Sequence, residues 1–191
     1  MDIAVAKIEY KLLKINKLHN ITPLSINPFI SRQNEKTMAN TYNQIYIQTV
    51  FAVKNRSALI QKEWRGDLLA YATGIFEGKG QKVLATGGVA DHIHVFWSYQ
   101  DLTITIPNLV MEVKKASNAW IKKNQLSPYL FAWQEGYGAF SYSRSQIDSV
   151  CEYVLNQEEH HKKQTFQEEY LNFLEKFAVP YDERYLFDFF D

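Results

Sequence analysis

Asp91-His92-Ile93-His94-Val95-Phe96 is the stretch from which the rest of the chain is read. Bulky and β-branched residues dominate it, which favours a strand. Strand side chains alternate between faces, so His92 and His94 point the same way. Neutral imidazoles side by side suit a divalent metal. The strand continues to Ser98. With Gln81 to Val89 before it, it reads as a hairpin closed by a tight turn. Gly87 and Gly88 suggest either a close backbone approach or a bulge.

Working outward, Asn43 to Val53 reads as a largely buried strand. Ile45, Ile47, Thr49 and Phe51 alternate there with Tyr46, Gln48 and Val50. Trp64, Leu68, Tyr71, Ala72 and Ile75 follow helical spacing, and Gly78 and Gly80 stop that helix. After the hairpin, Ile106 to Asn124 carries an apolar stripe of Ile106, Leu109, Val110, Val113, Ala116 and Trp120. Lys114, Lys115, Lys122 and Lys123 lie off that stripe, balanced by Glu112 alone. Most such clusters are solvated helix faces; a phosphate-binding surface is the functional reading.

Phe131 to Gln134 and Ala139 to Tyr142 are short strand candidates around the Gly136-Tyr137-Gly138 turn. Ser143 or Ser145 can cap the next helix, which is expected to run to about Lys163 with Val150, Val154 and Leu155 facing the core. Tyr153 and Gln157 lie four apart, which puts a phenol and an amide on one helix face. Thr165-Phe166-Gln167-Glu168 is a capping-box signature opening a last helix to about Phe177, with Pro180 beyond it. The order strand, helix, hairpin, helix, short strands, helix predicts an α+β fold, an antiparallel sheet with helices packed on one face.

Two histidines, a third polar ligand and a tyrosine are the parts needed for metal-assisted phosphodiester cleavage. An ordinary tyrosine, with a pKa near ~10, is a weak nucleophile without help. A metal held by His92, His94 and Gln157 would polarise the phosphate oxygens. A covalent phosphotyrosine conserves the broken bond's energy, so a free 3′-hydroxyl can rejoin the strand without ATP.

In order, these residues resemble the single-tyrosine transposases of the insertion-sequence-200-like family, within the HUH endonucleases. His92-Ile93-His94 matches the His-hydrophobe-His motif, and Asp91 precedes it as is common there. Tyr153-Val154-Leu155-Asn156-Gln157 matches the family's Tyr-x-x-x-Gln. The opening strand from Ile45 to Arg56, the segment Trp133 to Ser141 and the tail Glu159 to Phe166 are also similar. The resemblance covers about residues 38–187. It implies the ferredoxin-like or RNA-recognition-motif-like fold, with Tyr153 as nucleophile and His92, His94 and Gln157 as metal ligands. It further implies Mg2+ or Mn2+ as cofactor, single-stranded DNA bearing hairpins as substrate, a 5′-phosphotyrosine intermediate and a homodimer. Magnesium prefers oxygen ligands, and two imidazoles suit manganese better. His160 and His161 read as a partly exposed, pH-sensitive pair, with a phosphate contact or a supporting role as the functional reading.

Two other readings compete. One is an HUH nicking endonuclease of replication or transfer, which usually has a longer chain and a third histidine or paired tyrosines. The other is a catalytically silent protein that binds hairpin DNA; the retained His92, His94, Tyr153 and Gln157 argue against it.

Composition bounds the setting. The 191 residues fit one domain with an extension, and 46% of them are hydrophobic, enough for an ordinary core. Cys151 is the single cysteine, so no internal disulfide framework exists and a reducing, cytoplasmic setting is expected. No apolar run approaches the ~20 residues of a membrane span. Net charge is zero, without the basic surplus common in nucleic-acid binders. Residues 1–37 hold six Lys or Arg against three Asp or Glu, and their apolar residues are scattered. They are expected to be a flexible extension, with the transposase-like domain spanning residues 38–191 from about Met38.

Overall fold

The computed structural model describes residues 42–54 and 59–189. The expected extension over residues 1–37 and the boundary at Met38 lie outside them. Among the described residues four strands form: β1 (Tyr46–Ala52), β2 (Lys82–Gly88), β3 (His92–Ser98) and β4 (Gly138–Tyr142). In the same residues five α-helices accompany them: α1 (Lys62–Gly78), α2 (Ile106–Lys123), α3 (Ile147–Leu155), α4 (Gln157–His160) and α5 (Phe166–Lys176). The sheet order is β2-β3-β1-β4, and every neighbouring pair is antiparallel. This is the expected α+β, ferredoxin-like arrangement.

Alternation along the strands sorts side chains into two layers. Ile47, Phe51, Ile93, Val95 and Trp97 pack against Trp64, Leu68, Ala72 and Phe76 of α1 and Leu109, Val110, Val113 and Ile121 of α2. The expected packing on one face describes these two crossover helices. The opposite face is covered as well. Phe96 and Ala85 meet Val150 and Val154 of α3, and Val50, Ala52 and Phe140 meet Phe166, Tyr170, Phe173 and Leu174 of α5. His92 and His94 lie on this second face, opposite Ala52 and Val50 of β1.

Local signals explain the element ends. Thr105 caps α2, accepting from the Asn108 N–H, and Ser143 makes a capping box with Gln146 over a 3-10 turn before α3. Thr165 and Glu168 complete the expected box at α5. Gly87 is the position where a close approach is needed: a β-carbon there would lie 1.7 Å from the Val154 carbonyl oxygen. Glycine lets α3 settle directly onto β2. The hairpin's irregularity sits elsewhere, between Val83 and Ala85.

Three local expectations are corrected. Phe131 to Gln134 forms only a single bridge, Val53 to Trp133, rather than a strand. The tyrosine helix does not run to Lys163; it ends at Leu155, and Asn156 (φ −103, ψ 25) turns the chain into the short α4. Leu155 does not face the core, being 47% exposed. Among the described residues no helix is long and apolar enough to cross a membrane.

Candidate metal centre and tyrosine site

His92 and His94 are both fully buried, with ring centroids 4.9 Å apart. Their Nε2 atoms lie 3.4 and 3.3 Å from Glu169 Oε2, delivered by α5. His161, just after α4, brings its Nε2 to 3.5 Å from the same oxygen. The four donor atoms of His92, His94, His161 and Glu169 all fall within 4.8 Å of one another, so this group could hold a metal ion.

The surroundings suit that use. His92 Nδ1 faces Asp91 Oδ1 at 2.7 Å, and His161 Nδ1 faces the Gln164 carbonyl oxygen at 2.9 Å. Donating from Nδ1 leaves each Nε2 lone pair free for a cation. His94 Nδ1 is 2.8 Å from Gln48 Nε2, and Tyr142 donates to Gln48 Oε1. A half-turn of the Gln48 amide offers its oxygen to His94 and its NH2 to the tyrosine, the orientation a metal-binding His94 requires. His94 Nε2 and Glu169 Oε2 are buried and have no hydrogen-bond partner. Buried polar atoms left unpaired are costly, and a shared cation would satisfy both. Phe166 stacks on the His92 ring at 3.9 Å and fixes its plane.

Charge is distributed unevenly over the cluster. Burial works against a proton on His92, but the Asp91 and Glu169 carboxylates prevail and raise its pKa to about 9. Burial also opposes the Glu169 charge, yet His94 and His92 hold its carboxyl down at about 2. Burial pushes His94 down, and burial with the nearby His92 charge takes His161 to about 4. A cation binding here would therefore displace the His92 proton.

The structure brings all four expected residues together. Tyr153 donates its phenol hydrogen bond to Glu169 Oε1. Gln157 is buried, with its Oε1 3.0 Å from His161 Nε2 and 3.4 Å from His92 Nε2. Its amide nitrogen donates to Glu169 Oε1 at 3.3 Å. Tyr153 and Gln157 lie on two successive helices divided by the turn at Asn156, yet both side chains reach Glu169 Oε1. Arg65 of α1 holds α4 in place through Glu158 at 2.9 Å. A cleft of about 310 Å³ opens beside Tyr153 and Glu169, bordered by Ser149, His160, Asn172 and Lys176.

The four lysines do not converge on this centre, because α2 packs on the other sheet face. Lys114 is half-buried and donates to the Gln134 and Gly136 carbonyls, its pKa lowered to about 8 by burial. Lys115, Lys122 and Lys123 are exposed. Cys151 is partly buried and its thiol pushed up by that burial, so nothing activates it.

Sequence reasoning missed Glu169 as a donor and did not count His161 among the ligands. His160 and His161 are both partly buried, with side chains 27% and 11% exposed, in keeping with the partly exposed pair expected. Glu169 left a signal. Phe166, Tyr170, Phe173 and Leu174 form the buried stripe of α5, and a glutamate at 169 sits within it. A carboxylate on an apolar face requires a partner.

The chain is also similar to known proteins. Residues 41–157 match the family described as IS200-like transposases. A solved chain from Deinococcus radiodurans R1, provisionally assigned as a transposase, is 18% identical with a TM-score of 0.49, covering 64% of this chain and 97% of that one. A REP-associated tyrosine transposase bound to a REP hairpin is 12% identical with a TM-score of 0.46, covering 61% and 68%. No curated protein matches significantly.

Proposed function

Because this chain belongs to the IS200-like transposases, we propose that it cleaves and rejoins single-stranded DNA at element ends, with Tyr153 as nucleophile. The observation that carries the proposal is the meeting of the Tyr153 phenol with the His92, His94, His161 and Glu169 donors beside an open cleft. Attack forms a bond from the phenolic oxygen to phosphorus. The bond to O3′ breaks, and its electron pair leaves with O3′. The phenol's proton passes by way of Glu169 Oε1 to solvent as O3′ takes one up. The product is a 5′-phosphotyrosine and a free 3′-hydroxyl, which can reverse the step on another strand.

His92 and His94 would hold the cation through Nε2, with Gln157 Oε1 beside them. When bound, that cation supplies charge neutralisation at the phosphate oxygens. Three imidazoles and a carboxylate suit Mn2+ better than Mg2+. Asp91 and Gln164 hold the histidine tautomers, and Phe166 shields His92 from water. Tyr137 and Tyr142 are the nearest rival nucleophiles. Burial raises the pKa of both, and the Tyr142 hydroxyl is committed to Gln48.

The substrate reading is single-stranded DNA with hairpins, contacted in part by Lys115, Lys122 and Lys123. A homodimer belongs to the same proposal. Tyr153 lies against the histidines of its own chain, which supports a site assembled within one subunit. Mixing Tyr153→Phe with a His92→Ala/His94→Ala protein tests this: restored cleavage would show sharing between subunits.

The central test is denaturing electrophoresis of a labelled single-stranded element end with protein and Mn2+. An adduct is expected with the wild type, mapping to the Tyr153 peptide, and none with Tyr153→Phe. An adduct on Tyr137 or Tyr142 would refute the assignment.

A further inference from the structure

We propose that Glu169 joins the metal group to the nucleophile, one carboxylate oxygen completing the donor set and the other holding the Tyr153 phenol in its attacking orientation. This rests on the reading of Tyr153 as nucleophile. Glu169 lies beyond residue 157, where the family match ends, so the C-terminal helix contributes a working part of the site.

Geometry divides the two oxygens. Oε2 faces the Nε2 atoms of His92, His94 and His161 at 3.3–3.5 Å and has no hydrogen-bond partner. Oε1 accepts from the Tyr153 hydroxyl and from Gln157 Nε2. The residue is 3% exposed. A carboxylate this buried requires a counter-charge, which His92 meets at 3.4 Å and which a cation would take over.

The fold holds this carboxylate firmly. The Thr165–Glu168 capping box sets where α5 begins. Phe166 and Phe173, flanking Glu169 on the buried stripe, pack α5 onto the sheet, and Phe173 also meets the Tyr153 ring edge-on at 5.9 Å. Phe173 therefore packs α5 against both the sheet and the Tyr153 ring, which sets the carboxylate beside the phenol.

The chemistry follows from the direction of the hydrogen bond. A phenol donating to a carboxylate makes a strong, charge-assisted bond that points its proton at Glu169. Its lone pairs then face elsewhere, and the cleft bordered by Ser149, Asn172 and Lys176 is where a phosphodiester can reach them. Holding the oxygen in one orientation removes rotational freedom that attack would otherwise have to freeze. Because the same carboxylate faces the metal group, correct seating of the cation and readiness of the tyrosine are linked.

The experiment uses the full chain as wild type, Glu169→Gln, Glu169→Asp and Tyr153→Phe, each checked by thermal melt. Mn2+ affinity is measured by electron paramagnetic resonance of the free ion, and coordination by the visible absorption of bound Co2+. Adduct formation on a single-stranded hairpin is timed at saturating Mn2+. Glu169→Gln is expected to lose about tenfold or more in Mn2+ affinity, to change the Co2+ spectrum, and to form adduct about tenfold more slowly even when saturated. Tyr153→Phe is expected to keep the wild-type spectrum and affinity within about twofold, because it touches only Oε1. Unchanged affinity and spectrum in Glu169→Gln would overturn the ligand role. A wild-type adduct rate at saturating Mn2+ would overturn the orienting role. Should Glu169→Gln fail to fold, Glu169→Asp keeps the charge but shortens its reach, and the same two readouts decide. A wild type that forms no adduct would instead sink the nucleophile reading, leaving the Mn2+ and Co2+ results to judge the ligand role alone.

Discussion

The two faces of β3 are made from alternate residues of one strand, and all six side chains from His92 to Trp97 are fully buried. Ile93, Val95 and Trp97 meet aliphatic and aromatic partners from α1 and α2. His92, His94 and Phe96 meet α3, α5 and the Glu169 carboxylate. Degree of burial therefore does not separate core from site. Hydrogen-bond bookkeeping does. Among the described residues, the first sheet face and its helices leave scattered donors without an acceptor, the Trp64 and Trp97 indole N–H groups and Arg65 Nε of α1. On the second, His94 Nε2 and Glu169 Oε2 are unpartnered yet face each other at 3.3 Å. Lone donors of that kind are a tolerated cost of packing; convergent ones mark a place for a ligand.

The largest contrast should come from one substitution on each face. His94→Ala is expected to abolish the covalent adduct and most Mn2+ binding while moving the melting transition little in metal-free buffer. Normal cleavage by that variant with Mn2+ would break the comparison at once. Phe51→Ala, on the other face, should destabilise by about 3–5 kcal/mol. Denaturant titration would show it, and the fraction that remains folded should bind Mn2+ as the wild type does.

Gly87→Ala tests the seam between sheet and α3. The added methyl would strike the Val154 carbonyl, so α3 must lift. The expected cost is about 1–3 kcal/mol by denaturant titration. Adduct formation should fall more than Mn2+ affinity, since Tyr153 rides on α3 while the histidines do not. Equal losses in both would show that the two parts do not move separately.

Thr165→Ala removes the cap of α5 and should cost about 1 kcal/mol. If α5 positions Glu169, Mn2+ affinity should weaken with it, and calorimetric titration would show whether it does. The smallest expected effect belongs to the lysines. Replacing Lys115, Lys122 and Lys123 by Gln should leave cleavage chemistry intact and make single-stranded DNA binding less salt-dependent. The log–log slope should fall by about 2, on the basis of about 0.7 per phosphate contact. An unchanged slope would remove α2 from the DNA surface.

Much of the site was legible because its signals are local. Strand alternation alone puts His92 and His94 on one face. The Thr165–Glu168 box needs only four consecutive residues. Other features had no local signal. The kink at Asn156 follows from how α4 docks through Arg65 and Glu158, residues 93 apart in sequence. His161 and Glu169 meet His92 and His94 only when the segments after Leu155 fold back over the sheet. Glu169 in the apolar stripe of α5 was readable as a buried charge, but its partners were not.

The main strands and helices, the shared face of the two histidines and the capped starts of α3 and α5 could be read along the chain. Each depends on backbone periodicity or on contacts within a few residues. Only the tertiary structure decided that both sheet faces are covered, that Gly87 must be bare for α3 to approach, and that one buried carboxylate touches the histidines and the tyrosine together. Those outcomes depend on long-range packing. Burying apolar stripes from distant segments brings polar groups into contact that no spacing along the chain encodes.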